Sequence, residues 1–231
     1  MTMGDSASGS GAGRIVYLAA CALIFAFLVA PILVIVPLSF NAEPYFTFTE
    51  GMLGFDPAAY SLRWYREIVE NEAWTRALGN SLLIGVAATA LATALGTLAA
   101  LGLASRAMPA RRAAMGLLIS PMVTPLIISA AGMFFFYSTL GLSQTHLGLI
   151  LAHAALGTPF VVITVTATLS AFDTNLTRAA ASLGAGPLLT FRRVQLPLIA
   201  PGVLSGALFA FAASFDEVVV VLFMAGEDQR T

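Results

Sequence analysis

Asp216 and Glu217 stand side by side inside "FAFAASFDEVVVVLFMAG" (209–226), an otherwise apolar run. Adjacent carboxylates in such a place could attract a cation, pass a proton, or bind a metal if other ligands joined them. The chain offers no such ligands: Cys21, His146 and His153 are scattered, and no spacing matches a metal-binding set. A nucleotide-binding P-loop is excluded too, because that loop needs a lysine and every basic residue here is arginine. No serine pairs with a histidine in a recognisable frame, so no catalytic residue is assigned and no cofactor is implied. What remains is a cation or proton at Asp216 and Glu217, with the aromatic Phe215 beside them. His153 and Tyr137 also lie within apolar runs and are candidates to line the same path, while a helix–helix hydrogen bond is the alternative role for such a histidine.

The elements that must position these groups follow from composition. Only 10% of the 231 residues are charged, against about 25% in a soluble domain. The chain therefore reads as an all-α, polytopic membrane helix bundle in contact with lipid. Five stretches can cross ~30 Å of hydrocarbon, which takes about 20 helical residues. They are Ile15–Phe40, Ala77–Ala104, Ala113–Leu142, Leu147–Phe172 and Ile199–Ala225. A cleaved signal peptide is the alternative for the first, but its apolar part is about twice the usual length. Residues 1–14, rich in Gly and Ser, read as a disordered cytoplasmic tail. Placing the N-terminus inside puts Arg14, Arg106, Arg111, Arg112, Arg178, Arg192 and Arg193 on the cytoplasmic side, as the positive-inside rule favours. Arg63, Arg66, Arg76 and Arg230 then fall outside with most of the acids.

Residues 41–76 form the external segment, in which "SLRWYREIVENEAWTRAL" (61–78) predicts an amphipathic helix capped by Ser61 and anchored by Trp64 and Trp74. The remainder, 77–231, reads as the core domain. Its second span carries Ala88, Ala92, Gly96, Ala100 and Ala104 at four-residue steps, beside a stripe of Ser81, Gly85, Thr89, Thr93 and Thr97. The fifth span repeats the device with Gly202, Gly206, Ala210 and Ser214. Faces of this kind let helix backbones approach closely in lipid. Pro31, Pro37, Pro121, Pro125 and Pro159 should kink their helices. At 100° per residue the Gly202 stripe points between Asp216 and Glu217, so both acids should flank the packed face. A rise of ~1.5 Å per residue puts Asp216 about 21 Å from Gly202, in the outer half of the bilayer. Carboxylates there suit a substrate or ion path.

The loop 173–198 has its own pattern. Helix formers Arg178–Leu183 stop at Gly184, Pro187 can start a second short helix, and Pro197 and Pro201 should end it before the fifth span. The result is an elbow with an apolar edge of Leu183, Leu188, Leu189 and Phe191, which calls for a partner.

In this loop "RAAASLGA" and, further on, "VQLP" resemble the Glu-Ala-Ala loop of bacterial ATP-binding-cassette importer permeases. Ala179, Ala180, Gly184, Leu196 and Pro197 match the pattern, and Arg178 stands where the family has Glu. "SLRWYREI", "NSLLIGVAATALATALGTLAALGLA", "LGLILAHAALGTPFVVITVTATLSAFD" and "SFDEVVVVLFMAG" are similar to the permeases of spermidine/putrescine importers. The resemblance implies a type I importer: a transport subunit of the bacterial inner membrane that is not itself an enzyme. It implies two copies of a cytoplasmic ATPase that receive the elbow, a second permease of different sequence, and a periplasmic substrate-binding protein. Nucleic acid is not an expected partner. A polyamine bears several ammonium groups, and its passage needs opposite charge or aromatic faces. The family has six spans where five are read here, so a further span is expected after Thr231. Two other functions remain open on the residues alone. One is an importer of another solute, such as an iron chelate, an aminophosphonate or an opine. The other is a secondary transporter with Asp216, Glu217 and His153 as proton relay, which would bring inverted repeats and interrupted helices.

Overall fold

The computed structural model describes residues 11–105 and 107–231. Residues 1–10 of the expected tail, and Arg106, lie outside the described residues; Gly11–Arg14 form the first turn of a helix. The chain divides into two compact units, residues 1–74 and 75–231.

The first unit opens with α1 (Gly11–Leu38), which is apolar all round, contains Pro31 and Pro37, and is long enough to cross a membrane. Just after it, buried Asn41 gathers the following loop: its side chain donates to the carbonyls of Tyr45 at 2.9 Å and Thr47 at 3.0 Å. Short α2 (Glu50–Leu53) follows, capped by Thr49, then α3 (Arg63–Glu70). The expected amphipathic helix over 61–78 is therefore interrupted. Asn71 leaves the helical conformation, and its side-chain oxygen accepts the Ala73 N–H at 2.9 Å, as an asparagine favours at a helix start. Trp74 consequently belongs to the next helix, α4 (Glu72–Ala104). Ser61 does accept from Arg63 N–H, at 3.1 Å, although the helix begins one residue later than its expected cap implies.

In the second unit come α5 (Arg111–Val123), α6 (Leu126–Thr139), α7 (His146–Ser170), α8 (Asn175–Ser182), α9 (Pro187–Thr190), α10 (Leu196–Phe215) and α11 (Val219–Met224). No strand occurs among the described residues. α5 and α6 meet at 103°, so the third expected span is a broken pair rather than a kinked rod. The cause is local: Thr124 precedes Pro125, whose ring forces it into an extended conformation. By contrast Pro159 sits inside an unbroken α7.

The small-residue stripes are where the helices meet. Ala88, Ala92, Gly96 and Ala100 of α4 are buried, and so are Gly202, Gly206, Ala210 and Ser214 of α10; Ala104 is exposed. A Cβ on Gly96 would lie 2.6 Å from the Cβ of Val161, and one on Gly206 would lie 2.8 Å from the Cα of Val161. A Cβ on Gly202 would collide with Thr168. α7 is thus gripped by both stripes. Its threonines stay compact because Thr164 and Thr168 donate to carbonyls four residues back, both at 2.9 Å.

The fifth expected span departs most from expectation. At its start the predicted break at Pro197 and Pro201 does not occur. α9 passes through a π-helical turn, Phe191–Gln195, into α10, and Pro187–Phe215 forms one apolar helical run. Pro197 lies in the first turn of α10, where a missing N–H costs least, and the wider π turn accommodates it. At its end the helix stops at Phe215 instead of running to Ala225. Val220, Val221 and Met224 of α11 are buried with Ile84, Ala130, Leu149 and Ala152, a placement that a straight continuation of α10 would forfeit.

Gly206→Val should overpack this contact, at a cost of about 1–3 kcal/mol. The expected outcome is a clear loss of thermal stability in purified protein. Gly132→Ala, whose added Cβ would meet nothing within 4 Å in the interior of α6, should not lower stability and should raise it slightly.

Candidate functional site

The end of α10 presents the acid pair. Asp216 is the C-cap residue and is exposed; Glu217 is half-buried. A helix C-terminus carries partial negative charge, so a carboxylate placed there is destabilised unless a cation comes to it. Among the described residues the ion pairs are Arg66–Glu70 at 3.9 Å and Arg76–Asp228 at 3.6 Å; neither Asp216 nor Glu217 is in one. Glu217 turns one carboxylate oxygen, Oε1, to the Val220 N–H at 2.9 Å, capping α11 across the break. Asp216 makes no comparable commitment among the side-chain hydrogen bonds of the described residues.

His153 comes from the middle of α7 and is only 2% exposed. Its Nδ1 lies 2.8 Å from Ser214 Oγ of α10, a helix–helix hydrogen bond of the kind worth roughly 0.6–2 kcal/mol in membrane proteins. Nε2 is buried and has no protein partner. A small recess beside it is bounded by His153, Leu156, Gly157, Ala213, Ser214 and Glu217. The structure therefore brings His153, Ser214 and Glu217 together. Asp216, Phe215 and Tyr137 do not bound this recess. Phe215 is exposed and stacks on Phe211 at 5.6 Å between ring centroids. Tyr137 packs on the apolar cluster that holds α11.

Ser214 was visible in the sequence only as a small residue in a stripe; its bond to His153 spans 61 positions and leaves no local signal. The same holds for Asn80. Its Nδ2 donates to the carbonyls of Asp228 and Arg230, both at 2.8 Å, and its Oδ1 lies 3.1 Å from His146 Nε2. This polar clamp ties α4 and the start of α7 to the segment after α11.

At the other end of α10 lies the elbow. α8 carries Arg178, Ala179 and Ala180, and Gly184 follows in the left-handed region with φ 83°. That conformation lets the Ala185 N–H reach the Ala180 carbonyl at 3.0 Å and close the helix end. Ala180 is buried, Arg178 and Ala179 are exposed, and Leu196 and Pro197 open α10. Leu183 is 89% exposed and Leu188 71%, so the apolar edge of the elbow is uncovered in this chain. A groove runs along Pro187, Leu188, Leu189 and Arg192.

Residues 92–229, which include the acid pair and the whole elbow, match the family described as "Binding-protein-dependent transport system inner membrane component". The chain belongs to this family. It is an importer permease of the type I ATP-binding-cassette class, a multi-pass inner-membrane transport subunit. The chain is 32% identical over 204 residues to the spermidine/putrescine transport system permease protein PotC of Haemophilus influenzae, covering 88% of this chain and 76% of that protein. It is 32% identical over 216 residues to the putrescine transport system permease protein PotI of Escherichia coli K12, covering 90% and 73%. A bacterial ABC transporter involved in the import of the acidic polysaccharide alginate shares the fold, with a TM-score of 0.72 at 17% identity over 96% of this chain and 78% of that one. Membership sets aside the secondary-carrier reading, for which broken helices had been expected.

The elbow makes a sharp expectation. In the assembled importer, Gly184→Val forces a β-branched residue into a left-handed conformation costing roughly 1–2 kcal/mol, while an added Cβ meets no neighbour within 4 Å. Membrane insertion should stay normal and uptake should fall several-fold, by about the factor of ten that ~1.4 kcal/mol represents. Uptake at the wild-type rate would show that the turn is not needed.

Proposed function

We propose that this permease carries polyamines of the spermidine and putrescine type across the inner membrane, and that Asp216 and Glu217 meet their ammonium groups. The observation that carries this reading is an acid pair at a helix break, one exposed and one half-buried, with no basic partner among the described residues. Two adjacent carboxylates, Asp216 at the negative end of α10 and Glu217 next to it, repel each other and favour an arriving cation, and the effect strengthens where water is scarce. The printed functions of the PotC and PotI relatives support the same substrate class. Phe215 and Phe211, exposed and partly exposed at the same end, add aromatic faces on which an ammonium can rest.

In this reading residues 15–40 are the first transmembrane helix, 41–76 the external segment and 77–231 the core domain. The N-terminus and the loop 173–198 are cytoplasmic, as the placement of arginines favours. The elbow, with Arg178, Ala179, Ala180, Gly184, Leu196 and Pro197, docks into a partner ATPase present in two copies. Its exposed leucines supply the apolar contact. A second permease chain completes the pathway, and a periplasmic binding protein delivers substrate at the acid end.

Asp216→Asn keeps the shape and one acceptor oxygen while removing the charge. In the assembled importer, spermidine uptake should drop about tenfold or more, equivalent to ~1.4 kcal/mol of transition-state stabilisation. Glu217→Gln should lower it as much or less, with expression and complex assembly retained. Wild-type uptake by the double amide variant would reject the reading.

A further inference from the structure

The recess between α7 and α10 joins an orphaned polar atom to one of the two acids. His153 is 2% exposed, and its Nε2 has no protein partner. Its other nitrogen is already taken by Ser214 at 2.8 Å, so the ring cannot turn away without losing that bond. Glu217, on the same recess, has Oε1 held by the Val220 N–H at 2.9 Å and its second oxygen uncommitted. The recess measures about 10 Å³, the lower limit for holding one water. A recess of that size, with a buried imidazole nitrogen and a carboxylate on a mostly apolar wall, offers one water two polar partners.

We propose that one buried water joins His153 Nε2 to the free carboxylate oxygen of Glu217, making His153 a positioning residue for that acid. The bridge works with either tautomer. When Ser214 donates to Nδ1, Nε2–H donates to the water oxygen, and the water donates to Glu217. When Nδ1–H donates to Ser214, the water donates one hydrogen to Nε2 and the other to Glu217. Either way the carboxylate is held at two points, through Val220 on α11 and through α7 by way of the water. The break between α10 and α11 is thereby tied to the central helix. The consequence for transport rests on the reading of Glu217 as a substrate-facing acid; the water itself does not.

Two measurements test it in the assembled importer. The first is a map of the wild-type complex that resolves ordered waters: density is expected in the recess within hydrogen-bond distance of His153 Nε2 and Glu217. A well-resolved map without it, or a substrate ammonium in its place, overturns the proposal whatever the substrate reading. The second compares His153→Asn with His153→Gln. The asparagine amide can replace Nδ1 toward Ser214 but cannot reach the recess, whereas the glutamine amide reaches toward the Nε2 position. His153→Asn should raise KM for spermidine about tenfold with a smaller change in kcat, and His153→Gln should restore it to within about threefold. The reverse order would mean that His153 serves only to join the helices. If the Asp216 and Glu217 amide variants transport normally, the substrate reading falls, and the water density still decides this proposal.

Discussion

The close contact of α7 with the small faces of α4 and α10 is the constraint on which the second unit depends. Lipid tails are as apolar as leucine, so helices gain little by burying apolar surface against each other. What holds them is short-range dispersion, and that requires backbones to come near. Gly96, Gly202 and Gly206 permit this: a single added Cβ at any of them would run into Val161, Thr164 or Thr168. Gly157 does the same from the α7 side, where a Cβ would lie 3.1 Å from that of Ala210. The His153–Ser214 bond sits on this seam, one turn of α10 beyond Ala210, and adds direction to a contact that packing alone would leave free to slide.

The same seam explains why the acids lie at a break. Up to Ser214 the small face of α10 is buried against α7; past it come Phe215, Asp216 and Glu217, which are too large or too polar to continue the contact. The chain stops being helical there and restarts as α11, whose valines and Met224 enter a second apolar cluster formed with α6 and α7. Glu217 makes the restart possible by accepting the Val220 N–H. The two acids thus face different electrostatic surroundings. Glu217 lies beside the N–H groups that begin α11, whereas Asp216 lies beside the carbonyls that end α10.

How far the sequence disclosed this depends on the range of the interactions involved. The stripes of α4 and α10 were legible because a four-residue step maps directly onto one helix face: of the alanine and glycine positions only Ala104 is exposed, while in the neighbouring α4 stripe Gly85 and Thr97 are buried and Ser81, Thr89 and Thr93 half-buried. Gly184 was legible because helix formers stopping at a glycine call for a left-handed closure, and its φ is 83°. The bend before Pro125 and the stop at Asn71 had local signals, a pre-proline residue and a good cap, that composition-based spans override. The break after Phe215 had a local signal in Asp216 and Glu217, and a helix ending near Phe215 was the alternative to a continuous span, but "VVVVLFM" resumes the hydropathy of α10 directly after them. The tertiary cluster around Val220 and Met224 decides between a break and a continuous span. The His153–Ser214 bond and the Asn80 clamp are invisible, because their partners lie 61, 66 and about 150 residues away.

The elbow and the acid pair occupy the two ends of one helical run, Pro187–Phe215, of 29 residues. At ~1.5 Å per residue that run is about 40 Å long, and a helix is far stiffer along its axis than a loop. Its one irregular stretch is the π turn at Phe191–Gln195, directly after the elbow. Beyond that turn a displacement of the elbow can reach Asp216 and Glu217 only if α10 shifts against α7, across Gly202, Gly206 and the His153–Ser214 bond. Packed contacts this close have discrete arrangements rather than a continuum, since intermediate positions put Cβ atoms and threonine side chains into each other. The glycines that make the seam tight are therefore also what limits α10 to a small number of positions, and with it the places where the two carboxylates can stand.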